Sequence, residues 1–289
     1  MTREAASKAW ETRRMSKVKK SPSATVSGTK EWSVASVNFN LGCEHCCRYC
    51  YARNTAVMRR KFCTIEEWGK EYNRLKQHPF SGFGKKYDGP VMFPTTHDLT
   101  PALLEPTLTG LKMLLEAGND VLVVSKPHMS VIQALCKEFA GFKGHILFRF
   151  TIGALDHNIL AYWEPSAPDF AERFACLRHA HKEGFKTSIS CEPCLDSPNV
   201  VKLFYKLEPF ITDSFWIGKM NRIRHADGTL YRVSPDTNSV EVDRIEAGQT
   251  DERVHAIYAA LKDEPKIRWK ESFKEVLGLE TATEAGLDV

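Results

Sequence analysis

The sequence lacks the features of a membrane protein. No apolar run reaches the length that a membrane-spanning helix needs, and no apolar signal-peptide core follows Met1. There is also no internal repeat of fixed period. We therefore expect a cytoplasmic protein that does not contact a membrane.

A strong excess of charge of one sign is also lacking. The net charge is +4, from 40 Lys and Arg against 36 Asp and Glu, which permits an anionic substrate or a nucleic acid without requiring either. Basic residues are concentrated with Ser and Thr in residues 1–30. This composition predicts a flexible basic tail, and a nucleic-acid-binding arm is the alternative.

Cysteine, in contrast, is plentiful. The chain has nine cysteines, and in a reducing compartment such a number favours metal ligation or a redox role over disulfides. Four of them fall within the segment GCEHCCRYC: Cys43, Cys46, Cys47 and Cys50. The cluster therefore needs a chemical explanation.

Two ligand sets fit this spacing. In one, Cys43, Cys47 and Cys50 bind and Cys46 is spare; in the other, two adjacent C-x2-C units close on one zinc ion. Structural zinc sites usually separate such pairs by a dozen or more residues, and consecutive cysteines would bind one tetrahedral ion under strain. Three thiolates from one loop are better suited to an iron–sulfur cluster with one open iron.

Strands and helices alternate along the predicted secondary structure. This order predicts a parallel α/β sheet with right-handed crossovers, as a barrel or an open sheet, and places the chemistry at the carboxyl ends of the strands. The predicted strands are 33–41, 90–95, 120–125, 145–152, 186–191 and 213–218. The predicted helices are 64–75, 101–117, 129–139, 169–183, 199–206 and 251–262.

The motif Cys43-x3-Cys47-x2-Cys50, with Tyr49 before its last cysteine and a strand before the loop, resembles the cluster motif of radical S-adenosylmethionine enzymes. The resemblance implies a partial parallel (β/α)6 barrel and a 4Fe-4S cluster held by the three cysteines. In that superfamily the open iron binds S-adenosylmethionine. An electron from an external donor then cleaves the cofactor, giving a 5'-deoxyadenosyl radical that abstracts hydrogen from the substrate.

Further segments resemble the spore photoproduct lyase-like branch of that superfamily. They are HCCRYCYAR, FPTTHDLTPA, VVSKP, RFTIG and WEPSAPDFAERF, and the resemblance runs from about residue 33 to residue 224. It implies that Lys126 meets the carboxylate of S-adenosylmethionine and that further side chains surround this cofactor. The cofactor-binding candidates are Tyr49, Tyr51, Thr96, His97, Lys126 and Thr151.

Each of these positions also has a plain structural explanation. Lys126 could be a surface lysine, and Tyr49 and Tyr51 could pack under the cysteine loop. Thr96, His97 and Asp98 could cap the following helix, with Asp98 as the N-cap candidate. Thr151 could be an ordinary strand threonine. Glu164 and Arg173 could form a structural ion pair instead of contacting a substrate.

The resemblance has one departure. Spore photoproduct lyase carries a hydrogen-donating cysteine in the loop after its second strand, whereas this chain has Thr95 there. The substrate therefore remains unidentified, with nucleic acid as one candidate. Cys191 ends the fifth predicted strand, where we expect its side chain to point into the mouth of the barrel, and Cys194 lies three residues further on. The two cysteines could be a buried structural pair, a hydrogen donor at Cys191, or ligands of a second metal.

We expect residues 31–243 to form the barrel and residues 244–289 to form a helical extension. The leading interpretation is a radical S-adenosylmethionine enzyme. The alternative is a zinc-stabilised nucleic-acid-binding protein without catalytic activity, using the cysteine loop and the basic tail.

Overall fold

The structure is a computed structural model that describes residues 26–286. Most of the predicted basic tail at 1–30 therefore lies outside the described residues. Its strands, in chain order, are β1 (Ala35–Ser36), β2 (Asn40–Leu41), β3 (Arg74–Leu75), β4 (Val91–Phe93), β5 (Val121–Ser125), β6 (Ile146–Thr151), β7 (Lys186–Cys191), β8 (Phe215–Ile217) and β9 (Ile267–Trp269).

Short helices follow the cysteine loop, and longer ones connect the strands. In chain order they are α1 (Tyr51–Asn54), α2 (Ile65–Trp68), α3 (Leu104–Glu116), α4 (Met129–Glu138), α5 (His157–Trp163), α6 (Phe170–Lys182), α7 (Val200–Leu207), α8 (Ser239–Ala247), α9 (Asp251–Leu261) and α10 (Glu271–Leu277). None of the helices within residues 26–286 is long and apolar enough to cross a membrane.

Seven strands form one parallel sheet in the order β1-β4-β5-β6-β7-β8-β9. The strand β5, VLVVS, is almost continuously apolar, and nearly all residues of β5, β6 and β7 are buried, because both faces of the sheet are covered. Among the described residues no pairing joins β9 back to β1, so the sheet is open. The predicted parallel α/β fold is confirmed, with seven strands where the sequence predicts six.

The first predicted strand, 33–41, is wrong as a single element. It divides into β1, which pairs with β4, and β2, which pairs antiparallel with β3 in a separate ribbon. The helix predicted at 64–75 begins as expected, with a capping box between Thr64 and Glu67, but it ends at Trp68. The chain then returns as β3 to pair with β2, which leaves no room for further helical turns.

The C-terminal segment that begins at residue 244 contains the end of α8, the helices α9 and α10, and also β9, which extends the main sheet beside β8. A strand of three residues is too short for its periodicity to stand out from the sequence. The division of the chain at residue 243 remains a prediction.

Candidate active site

A cavity of about 630 Å³ opens at the carboxyl edge of the sheet. Its walls come from the cysteine loop, from the ends of β4 to β7, and from the segment around Gly28. Nine of the ten predicted site residues line it: Cys43, Cys47, Tyr49, Cys50, Tyr51, Thr96, His97, Lys126 and Thr151. The structure therefore brings together residues that are spread over more than a third of the chain.

The cysteine loop needs an unusual backbone. Gly42 has φ +74°, and a Cβ there would lie 2.5 Å from the Trp68 carbonyl oxygen, so glycine is required. Cys46 also has a positive φ, of 51°. At the end of the loop, the Cys50 amide donates to the Cys47 carbonyl at 3.1 Å, and the Cys50 sulfur accepts from the Arg53 amide at 3.4 Å.

The thiols are electrostatically close to one another. Burial raises the pKa of Cys43 well above its ordinary value, and Asp98, Cys47 and Cys50 raise it further. Burial also raises the pKa of Cys47 to about 12, although Lys126 opposes this rise. Three thiolates would therefore repel one another here, and a bound cationic centre, which deprotonates its coordinating thiols, would remove the conflict.

The donor set fits an iron–sulfur cluster by its chemistry. Among residues 26–286, no group of three or more His, Cys, Asp or Glu side chains is arranged to hold a metal ion. The cysteines of a cluster bind separate irons, so Cys43, Cys47 and Cys50 need only face the same space. Cys46 also lines the cavity, and its sulfur is packed against Gly69, where a Cβ would lie 2.5 Å from it.

Asp98 joins the cysteine loop to the ends of two strands. It accepts hydrogen bonds from the Lys126 amide at 3.0 Å and from the Ser125 hydroxyl, and its carboxylate lies 3.2 Å from His45 Nδ1. Burial alone would raise the pKa of Asp98, but His45 and Lys126 hold it well below its usual range. The expectation that Asp98 caps the next helix is wrong, because Thr100 is the N-cap of the short 3-10 turn Pro101–Leu103 that leads into α3.

Lys126 follows β5 directly and is half-buried in the cavity wall. Its ammonium nitrogen lies 5.6 Å from the centroid of the Tyr49 ring. Burial would lower the pKa of Lys126, but Cys47, Glu164 and Asp98 together raise it above its ordinary value. The side chain is thus a permanent cation facing the space beside the thiols, and it is not a surface lysine.

Glu164 and Arg173 form an ion pair of 2.6 Å in which both side chains are fully buried. Tyr49 donates its hydroxyl hydrogen to Glu164, and Arg173 donates to the Thr151 carbonyl at 3.1 Å. Neither charged residue is part of the cavity lining. The pair therefore has a structural role: it holds Tyr49 and Thr151, which do line the cavity.

His97 presents an unpaired polar atom. Its Nε2 is buried without a hydrogen-bond partner, while Nδ1 lies 3.0 Å from the Asp98 carbonyl oxygen. Burial lowers the pKa of His97 to about 4, so the ring is neutral near pH 7. A buried polar atom of this kind normally has a partner, and a ligand in the cavity could supply one.

Asn38 was not singled out from the sequence. Its side-chain oxygen accepts from the amides of Thr95 and Thr96, at 2.7 and 2.8 Å. Tyr51, at the start of α1, donates its hydroxyl hydrogen to the Thr95 carbonyl at 2.9 Å. The loop after β4 is therefore fixed from two sides. A single asparagine within the predicted strand 33–41 gives no sequence signal for such a role.

Cys191 does not face the cavity. It is fully buried, and its sulfur lies 4.0 Å from the Gly153 carbonyl oxygen. Successive residues of a strand point to opposite sides, and Ser190 and Glu192 are the residues here that line the cavity. The expectation that Cys191 points into the mouth of the sheet is wrong, and its geometry does not support a donor role there.

The sequence also does not predict a cluster of charged residues formed by Glu192, Lys270 and Glu31. Glu192 lines the cavity and lies 3.5 Å from Lys270, which is 2.7 Å from Glu31. Lys270 is almost fully buried, and its ammonium nitrogen lies 4.1 Å from the centroid of the Trp32 ring. These contacts join β7, the C-terminal segment and the N-terminal turn, and no local sequence pattern connects such distant residues.

No protein-family model matches the chain. An uncharacterized protein of Acidianus two-tailed virus, ORF301, is 26% identical over 180 residues, which covers 57% of this chain and 57% of the viral protein. The chain thus spans little more than half the length of this relative.

Two kinds of solved structure are similar to this chain. A spore photoproduct lyase variant is 17% identical, with a TM-score of 0.47, over 68% of this chain and 59% of the lyase chain. SuiB of Streptococcus suis, solved with bound S-adenosylmethionine, is 11% identical, with a TM-score of 0.48, over 98% of this chain and 60% of the SuiB chain. These are similarities of the chain path.

Proposed function

We propose that the protein is a radical S-adenosylmethionine enzyme. Cys43, Cys47 and Cys50 would hold a 4Fe-4S cluster, and the rest of the cavity would hold S-adenosylmethionine and part of the substrate. The observation that carries the proposal is that these three thiols share one cavity with all six predicted cofactor-binding residues. When bound, the cluster and cofactor would supply a radical that abstracts hydrogen from the substrate.

The chain's own residues would bind and orient the cofactor. Lys126 would pair its ammonium group with the cofactor carboxylate as a point charge. His97 would use its unpaired Nε2 for a polar group of the cofactor, and the rings of Tyr49 and Tyr51 would pack against the adenine. Thr151, fixed through Arg173 at the end of β6, would contact the ribose.

Substrate identity and electron supply are further parts of the proposal. An external donor would reduce the cluster, and a reducing cytoplasm would keep the nine thiols free of disulfides. The substrate is an unidentified molecule whose reacting carbon reaches the cavity, with nucleic acid as one candidate.

Anaerobic reconstitution tests the proposal. The wild-type protein should bind about four iron atoms per chain and release 5'-deoxyadenosine from S-adenosylmethionine when a chemical reductant is added. Cys43→Ala, Cys47→Ala and Cys50→Ala should each lose iron and cofactor cleavage. Cys46→Ala, the matched control from the same loop, should keep both.

Two results would contradict the assignment. A colourless protein that takes up zinc in place of iron would favour the zinc-stabilised binding protein. Loss of iron in Cys46→Ala, with Cys47→Ala unaffected, would show that the other ligand set operates.

A further inference from the structure

Three arginines gather at one side of the cavity mouth: Arg59, Arg222 and Arg232. Arg232 is half-buried and lines the cavity, whereas the other two side chains are exposed. Within residues 26–286 none of the three forms an ion pair with an acidic side chain. Two neighbouring arginines do: Arg48 lies 2.5 Å from Asp236, and Arg224 lies 2.9 Å from Asp243 and 3.1 Å from Glu246.

The backbone holds this group in place. Residues 222–232 fold back on themselves, so that the Arg232 amide donates to the Arg222 carbonyl at 3.2 Å and the two side chains start from opposed positions. Asn54, at the end of α1, donates to the Tyr231 carbonyl at 2.7 Å, and Arg59 donates to the Tyr231 hydroxyl. The arginines are thus connected to the helix that follows the cysteine loop.

The charges of the group are not balanced locally. Burial lowers the pKa of Arg232, and Arg222 and Arg59 lower it further, with Tyr51 alone acting in the opposite direction. Unpaired guanidinium groups that repel one another are stabilised by a bound anion. Their planar forks match the oxygens of phosphate, which several arginines can share.

We infer that Arg59, Arg222 and Arg232 bind a phosphate group of the molecule that enters the cavity. Tyr231 supports the arrangement, since its ring centroid lies 5.4 Å from the Arg59 guanidinium carbon and 5.9 Å from that of Arg232. The inference rests on the proposed function, because it describes the substrate of the same cavity. A phosphomonoester and an internal phosphodiester share this chemistry.

The test measures binding of three probes to the reconstituted protein at fixed ionic strength. The probes are a 5'-mononucleotide, the same nucleoside without phosphate, and a short single-stranded oligonucleotide without terminal phosphate. Arg59→Gln, Arg222→Gln and Arg232→Gln should each weaken phosphate-dependent binding about tenfold. Arg178→Gln, which makes the same charge change at an exposed position on α6, should bind as wild type does.

The two phosphate probes distinguish the source of the group. Tighter binding of the mononucleotide indicates a terminal phosphate, and tighter binding of the oligonucleotide indicates an internal one; either result must depend on the three arginines. Binding of the mononucleotide and of the oligonucleotide no tighter than that of the nucleoside, or an equal loss in Arg178→Gln, would overturn the inference.

The outcome is separable from the proposed function. If the wild type cleaves S-adenosylmethionine while the arginine variants bind phosphate normally, the inference alone fails. If the wild type neither assembles a cluster nor cleaves the cofactor, the proposed function fails whatever the arginines bind.

Discussion

Replacing Lys126 by alanine separates cofactor binding from cluster assembly. The lysine is half-buried in the wall of the cavity that the three thiols also line, and it interacts electrostatically with Cys47. Because Cys47, Glu164 and Asp98 raise its pKa, it remains a cation at every pH at which the protein is assayed. The Lys126→Ala change therefore removes one full charge from the cavity.

The expected loss of affinity for S-adenosylmethionine follows from the hydrogen bond that Lys126→Ala removes. A charge-assisted hydrogen bond contributes about 1.5–3 kcal/mol, and each 1.4 kcal/mol is about a tenfold change in affinity. Binding of S-adenosylmethionine should therefore weaken by roughly ten- to a hundredfold. Glu164 keeps Arg173 as its partner at 2.6 Å, and Asp98 keeps its contact with His45 and its hydrogen bonds from the Ser125 hydroxyl and the amide of residue 126, so the variant should fold.

Equilibrium binding of S-adenosylmethionine to the reconstituted variant, together with its iron content, measures the effect. Lys202→Ala, on α7 and exposed, is the matched control and should change neither quantity. Unchanged affinity with full iron would refute the contact with the cofactor. Loss of iron in Lys126→Ala would refute the separation of roles and show that the lysine is needed to assemble the cluster.

Three more outcomes are expected. Glu164→Gln should lower the free energy of unfolding by about 3–5 kcal/mol, because it leaves a buried guanidinium unpaired, while Glu116→Gln in an exposed pair should change it by less than about 1 kcal/mol in urea denaturation. The depressed pKa of His97, about 4 in the fold, means that the unfolded chain binds the proton first as pH falls. Unfolding free energy should therefore drop by up to about 1.4 kcal/mol per unit between pH 6.5 and 4; parallel curves for wild type and His97→Gln would contradict this. Cys191→Ala should leave cofactor cleavage and product unchanged and lower stability by about 1 kcal/mol, whereas loss of product would restore the donor role.

The sequence predicts the candidate site well because its residues follow strands. In a parallel α/β sheet the carboxyl ends meet at one edge, so Lys126 after β5 and Thr151 at the end of β6 are placed by the strand pattern alone. The spacing of Cys43, Cys47 and Cys50 is also contained in one short segment, so it can be recognised without knowledge of the fold. The resemblance to radical S-adenosylmethionine enzymes selects the nine residues, and these two signals explain why they lie in one cavity.

The sequence does not predict which side of the sheet a side chain points to, or which distant segments of the chain meet. Cys191 ends a correctly predicted strand, but a shift of one position changes the face, and Glu192 occupies the cavity side. The contact of Lys270 with Glu31 and Glu192, and the meeting of Arg59 with the segment that carries Arg232, join parts of the chain that no periodic pattern relates.

The cysteine loop is held from two sides, and this arrangement explains why two buried carboxylates lie near the thiols. Asp98 holds the loop at His45 and is itself bonded to the amide of Lys126 after β5. Glu164 holds it at Tyr49 and, through Arg173, is connected to the end of β6. Cys47 lies midway between the two attachment points, so its sulfur is positioned by strands that contribute no cysteine to the cluster motif. The sheet thus does more than support the cavity, because it fixes one predicted cluster ligand relative to Lys126, the residue proposed to bind the cofactor.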